Sequence, residues 1–180
     1  MRFFIILFFA FLTACTGKPS FDDLTLDTSQ KLNLEEFFVG ELVAYGQFQD
    51  VFGTVRRSFV VNIKGDWDGD TLTLVEGFSY EDGSIEQRIW SLTKTGDDSW
   101  TGTAPGFFGK ATGFEQDNRF NWQYKIDLPI PSADGTIETL RVTFDDWMWL
   151  LTKDRLFNRA YVKRLGLDIG DVSISFEKIS

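Results

Sequence analysis

The strongest constraint in this chain is a period of two. Between residues 39 and 176, apolar side chains recur at every second position in run after run, and no long stretch shows the 3.6-residue spacing of an amphipathic helix. Residues 39–48 form a first run. Val55, Arg57, Phe59, Val61 and Ile63 alternate along a second, and Leu72, Leu74, Glu76, Phe78 and Tyr80 share one face of a third. Asp82-Gly83 signals a turn, and Glu86, Arg88, Trp90 and Leu92 share a face beyond it. Trp100, Gly102 and Ala104 mark a short fifth run. Phe120, Trp122, Tyr124, Ile126, Leu128 and Ile130 alternate strictly along a sixth. After the turn signal Ala133-Asp134-Gly135 come Leu140, Val142 and Phe144, then residues 157–165, then Val172, Ile174 and Phe176. The pattern predicts an all-β fold of eight to ten antiparallel strands joined by short turns, a barrel or a sandwich. Long consecutive strands favour an up-and-down barrel. So do glycines at 40, 46, 102, 109 and 113, where tightly curved strands need them.

What precedes the alternation differs in kind. Met1-Arg2 is followed by an apolar run over residues 3–12, which suits a signal peptide and is too short for a spanning helix. Leu12-Thr13-Ala14-Cys15 then looks like a bacterial lipobox, and Cys15 is the single cysteine of the chain. The expectation is cleavage before Cys15 and lipid attachment to it, anchoring the protein in a membrane. Thr16, rather than Asp, follows the cysteine, which by resemblance to Gram-negative sorting rules favours the outer membrane, with the domain facing the periplasm. The division expected is a leader over 1–14, a lipidated N-terminus and tether over 15–31, and a barrel domain over 32–180. Residues 32–38 suit one helical turn, with Asn33 as a cap and Glu36 three residues on.

Composition excludes several functions. The formal net charge is −9, which repels nucleic acid and argues against electrostatic attachment to anionic lipid. The chain has no histidine, so His-based triads and most transition-metal sites are ruled out, and one cysteine cannot form a zinc cluster. No cofactor and no metal site are expected.

Four segments could carry chemistry. Glu76 interrupts an otherwise apolar face, and a buried carboxylate needs a partner. Arg88 meets it across the hairpin if the loop at Asp82-Gly83 has an odd length. The pair is then either a structural ion pair or the polar end of a ligand site. Asp145-Asp146, set between Phe144 and Trp147, is an acid/base or hard-cation candidate. Adjacent strand residues point oppositely, so the preferred reading is a strand end with a turn and capping acids. Arg159, near Tyr161 and Lys163, could grip a carboxylate or phosphate, its facing left open against Asn158. Asp66-Trp67-Asp68-Gly69-Asp70 lacks the distal acid of a calcium loop and reads as a hairpin turn, and residues 106–113 read as loop and curved strand.

These residues together resemble a Gram-negative lipoprotein family known as DUF3833. The likeness runs through Phe38-x-Gly40, Ala44-x-Gly46-x-Phe48, Trp67-x-Gly69 and the residues from Leu72 to Gly83. It continues through Arg88-x-Trp90, Gly109-x-Ala111-x-Gly113, Trp122-x-Tyr124, residues 144–148 and Asn158-Arg159-Ala160. Ala104-Pro105-Gly106 departs from an acidic position usual in that family. The resemblance implies a lipocalin-like barrel and no assigned activity. It also implies a setting beside genes of fatty-acid modification and stress response, which points to a lipid ligand.

The function expected is therefore binding. A barrel lined by Leu74, Phe78, Trp90, Trp122 and Tyr124 would take an apolar ligand whose polar head Glu76, Arg88 or Arg159 would orient. Two alternatives stand beside it. One is a structural envelope protein with a filled barrel and a protein partner. The other is a barrel isomerase or cyclase using Glu76 or Asp145 as base and Tyr80 or Tyr124 as donor.

Overall fold

The structure, a computed structural model, describes residues 17–23, 29–131 and 137–179. The leader, Cys15 and the turn at Ala133-Asp134-Gly135 lie outside the described residues. One short helix, α1 (Leu34–Phe37), precedes ten strands: β1 Gly40–Asp50, β2 Val55–Trp67, β3 Thr71–Tyr80, β4 Ile85–Lys94, β5 Ser99–Thr103, β6 Ala111–Gln116, β7 Arg119–Pro131, β8 Ile137–Thr152, β9 Arg155–Arg164 and β10 Leu167–Ile179. Each strand pairs antiparallel with its chain neighbours, and β1 pairs with β10, which closes a barrel of lipocalin-like, up-and-down form. Closure pairs every strand on both sides, although β5 meets β4 only along Ser91–Lys94.

Alternation decides which side chains fill the barrel. Leu42 and Ala44 of β1, Val61 and Ile63 of β2, Leu72 and Leu74 of β3, and Trp90 and Leu92 of β4 are buried, while most of their neighbours in sequence face out. One end of the barrel is plugged. Leu32, Leu34, Phe37 and Phe38 are buried there, and Phe38 stacks edge-on against Phe176 at 5.6 Å. Gly65 makes the plug possible, because a Cβ there would collide with the Phe38 carbonyl.

Three expectations are corrected. Asn33 makes no side-chain cap on α1; the Glu115 carboxylate of β6 instead accepts the Leu34 N–H at 2.8 Å. Residues 111–116 form a complete strand, and Gly109 lies before it in the loop, with φ +78°. Asp145 and Asp146 do not end a strand, for β8 runs on to Thr152.

β5 and β6 are short, and the loop after β5 fills the gap they leave at the upper end of the wall. Phe107 of that loop bridges to Ile126 of β7 and packs at 4.2 Å from Trp90.

Candidate ligand cavity

The third hairpin sets the polar end of the interior. Tyr80 and Ser84 flank the three-residue loop Glu81-Asp82-Gly83: Gly83 N–H donates to Tyr80 O, Tyr80 N–H donates to Ser84 O, and Gly83 takes φ +82°. This odd loop brings Glu76 of β3 directly opposite Arg88 of β4. Both side chains face into the barrel, where they meet Tyr124 of β7, Asp146 of β8 and Asn158 of β9.

These groups border a cavity of about 200 Å³. Leu34 and Phe38 form its floor at the plugged end. Its wall rises past Trp122, Met148 and Phe176 to Tyr80, Leu128 and Val172 near the opposite end. The volume lies below the roughly 300–1,000 Å³ of sites for drug-sized ligands. It exceeds the ~150 Å³ apolar cavity that takes up benzene, so a slender apolar chain suits it.

Burial governs the ionisation of the cluster. Enclosure in the barrel pushes the Glu76 carboxyl up to about 7; Arg88 opposes this and Glu86 adds to it. Arg88 does not close an ion pair with Glu76. Its Nη2 lies 3.0 Å from Glu86 Oε1, and its guanidinium sits 4.9 Å over the Phe78 ring. Burial, together with the charge of Asp145, holds Asp146 well above the usual carboxylate range. The Asp146 Oδ1 is buried without a hydrogen-bond partner, and Tyr124 Oη lies a long 3.5 Å from Oδ2. Burial likewise raises Tyr124, and the nearby Asp146 adds to it. The interior therefore offers a ligand a guanidinium, a phenol, an amide and two carboxyls that burial biases toward their protonated form.

Of the six residues expected at the site, five line the cavity: Glu76, Arg88, Trp90, Trp122 and Tyr124. Arg159 does not. It is on the outer face of β9, exposed, with Nη2 3.1 Å from Asp171 Oδ2, and Asn158 takes the inward position. Two inward residues were weighed in the sequence but not placed at the site. Asp146 continues the series Val142, Phe144, Asp146 and Met148, and Asn158 sits between Leu156 and Ala160; simple parity would have found both. Asp145, as the opposite parity requires, points outward to Lys18 at 2.8 Å. Of the Asp66–Asp70 stretch, Asp66 and Trp67 end β2 and residues 68–70 form the turn, where the Asp68 carboxylate accepts the N–H groups of Asp70 and Thr71. Among the described residues, no group of three or more acids is placed to hold a metal.

A family model described as "Protein of unknown function (DUF3833)" matches residues 9–178. No curated protein matches the chain. Among solved structures, the S-type phycobiliprotein lyase CPES from Guillardia theta superposes with a TM-score of 0.58 at 12% identity, covering 83% of this chain and 94% of that one. EF1p2_mFAP2b bound to DFHBI aligns at a TM-score of 0.41 and 9% identity, over 82% of this chain and 100% of the other. The first of these likenesses is one of fold.

Proposed function

Since the chain belongs to the DUF3833 family, its activity has to be read from its own cavity, and we propose that it binds a single-chain apolar ligand ending in an anionic group such as a carboxylate. One observation carries this reading: an apolar cavity of about 200 Å³ ends in a buried, donor-rich cluster with an unpartnered oxygen. A carboxylate there would take hydrogen bonds from Arg88 and Tyr124, and from Asp146 in the protonated form that burial favours, each stronger in the enclosed site than in water. Trp90, Trp122 and the aromatic wall would hold the chain. The fold is shared with a protein named a phycobiliprotein lyase, and the family model spans the cavity-forming strands.

The setting proposed is a lipid-anchored protein of the outer membrane, facing the periplasm. It rests on the apolar run at 3–12 and on Leu12-Thr13-Ala14-Cys15, the second of which falls within the family match. Mass spectrometry of the N-terminal peptide should find a diacylglyceryl group on Cys15; an unmodified thiol would remove this part of the reading.

The binding reading is tested by native mass spectrometry of the exported Cys15→Ser chain, followed by lipid extraction. A co-purifying fatty-acid-like species at one per chain, lost in Arg88→Ala, is the expected result. An empty protein that also takes up no fatty acid would defeat it. A second reading, catalysis, is favoured by Glu76, whose carboxyl near 7 is poised to exchange a proton beside Tyr124 and Asp146. A ligand recovered chemically altered, and unaltered from Glu76→Gln, would select it.

A further inference from the structure

In an up-and-down barrel the turns alternate between two ends. The turns after β2, β4, β6 and β8 lie at the plugged end. Those after β1, β3, β5 and β9 lie at the other, above the polar cluster. The two sets differ sharply in character. At the plugged end the turns carry Asp68, Asp70, Asp97, Asp98, Asp117 and Asp154 against a single Lys153, and the most exposed large apolar residue beside them, Leu151, is 56% exposed. At the opposite end they and the strand positions beside them present large apolar side chains to solvent: Phe52 is 89% exposed, Ile85 83%, Leu165 92% and Leu167 73%. These are the four most exposed large apolar residues described, and they come from three separate hairpins. Phe108, from the loop after β5, adds a fourth point of contact. Scattered apolar residues need no explanation, but a ring of them around one end does.

Charge around this ring is close to balanced. Arg56 pairs with Asp50, Arg57 with Asp82 and Lys163 with Asp168, while Lys110 and Arg164 are exposed beside Phe108 and Leu165. Such a rim meets anionic headgroups without the repulsion that the −9 chain as a whole would feel, and its long cationic stems can reach up to them. The aspartates sit at the far end, a barrel length away, beyond the ~8–10 Å over which charge acts in salt.

The N-terminal segment gives an independent direction. Arg119, at the plugged end of β7, holds the carbonyls of Ser20, Phe21 and Asp23. Phe21 packs against Trp147, and Lys18 reaches Asp145, farther along β8 from the plugged end. Read from residue 23 back to 18, the chain therefore climbs the outer wall toward the apolar ring.

We propose that the apolar ring formed by Phe52, Ile85, Phe108, Leu165 and Leu167 is a bilayer-docking surface, which seats the cavity end of the barrel on a membrane. The occupant is a lipid surface, and the attraction is apolar insertion rather than net charge. A ligand with a lipid chain would then pass between bilayer and cavity without crossing open water. The proposal stands apart from the identity of the ligand.

The test uses the full chain reconstituted in phosphatidylethanolamine–phosphatidylglycerol vesicles, with an environment-sensitive fluorophore on one introduced cysteine at a time. The chain without an added cysteine gives the background from Cys15. Probes at Phe52→Cys and Leu165→Cys should shift to the blue on vesicles and lose intensity to spin-labelled lipid. Probes at Asp97→Cys and Asp154→Cys should do neither. Replacing Phe52 and Leu165 by Ser should abolish the shift of a probe at Ile85→Cys. Probes at 52 and 165 that stay water-like, or quenching confined to 97 and 154, would overturn the proposal. So would a blue shift that needs no vesicles and grows with protein concentration, because a second copy of the chain would then be the occupant.

Discussion

Glu76 shows how one residue can couple the cavity to pH. Its carboxyl titrates near 7 because burial disfavours the charge more than Arg88 favours it. Below that value it is neutral, and only Glu86 competes with an anionic ligand for Arg88. Above it, a carboxylate stands directly across from the guanidinium and repels the ligand. Affinity for a fatty acid should therefore fall as pH rises from 6 to 8, by roughly three- to tenfold, or about 0.7–1.4 kcal/mol. Glu76→Gln should bind throughout that range as the native chain does at pH 6. A fluorescence titration at several pH values measures this, and a native chain with flat affinity would contradict it. Glu76 and Arg88 were legible in the sequence because each breaks an apolar face. Their facing was not, since it hung on whether the loop at Asp82-Gly83 held an odd number of residues. Asp146 was named but left off the site for a different reason. Two adjacent acids suggest the end of a strand, yet one is accommodated by enclosure in the barrel and the other by Lys18 and Asn121.

At the scale of elements, the residues before the barrel behave least as their sequence suggests. Residues 15–31 lack periodicity and read as a free tether, and the described parts, 17–23 and 29–31, have no helix or strand. The first is nonetheless docked. Arg119 is only 3% exposed although it points out of the barrel, because the segment covers it. Its guanidinium donates to three carbonyls, and Phe21 lies 5.7 Å from Phe114 and 4.9 Å from Trp147. Periodicity cannot report such contacts, because they are made by backbone carbonyls about a hundred residues from the arginine. Arg119→Ala should release the segment and cost about 2–3 kcal/mol, the scale of hydrogen bonds to a charged group. Arg119→Lys should recover little, since an ammonium cannot span three carbonyls in a fork. Hydrogen exchange at residues 18–23, together with the melting temperature, reads both effects. Unchanged protection in Arg119→Ala would show that Phe21 and Lys18 suffice. The strands were much easier to read, since nine of the ten fall on runs of alternation. The exception, β6, breaks the alternation at Gly113, which must leave room for Phe120 and Trp122, and at the buried Glu115.

For the whole molecule, the barrel was legible because its strands repeat one rule, whereas the difference between its two ends was not, because it depends on which turns closure brings together. That difference has a thermodynamic side. Glu76 and Glu115 both titrate near 7 in the fold, each raised chiefly by burial, and Asp146 is raised as well. The folded chain therefore binds protons that the unfolded chain has released above about 4.5, and stability must fall as pH rises through the window from there to about 7. Surface acids act in the opposite sense at lower pH. Asp50, Asp68, Asp82 and Asp127 are held below their usual range by hydrogen bonds, so their contribution is lost as pH falls through 4. The two trends place the most stable point near pH 5, acidic of neutrality. The fully enclosed Glu76 can account for on the order of 3 kcal/mol of the decline. At ~2–4 °C per kcal/mol, the melting temperature should drop several degrees between pH 5 and pH 8. The double variant Glu76→Gln, Glu115→Gln should lose most of that slope while keeping the barrel, since an amide fits both sites and can still accept the Leu34 N–H. A melting temperature that rises from pH 5 to pH 8 would mean that neither carboxyl keeps its proton in the fold, and the donor-rich account of the cavity would fail with it.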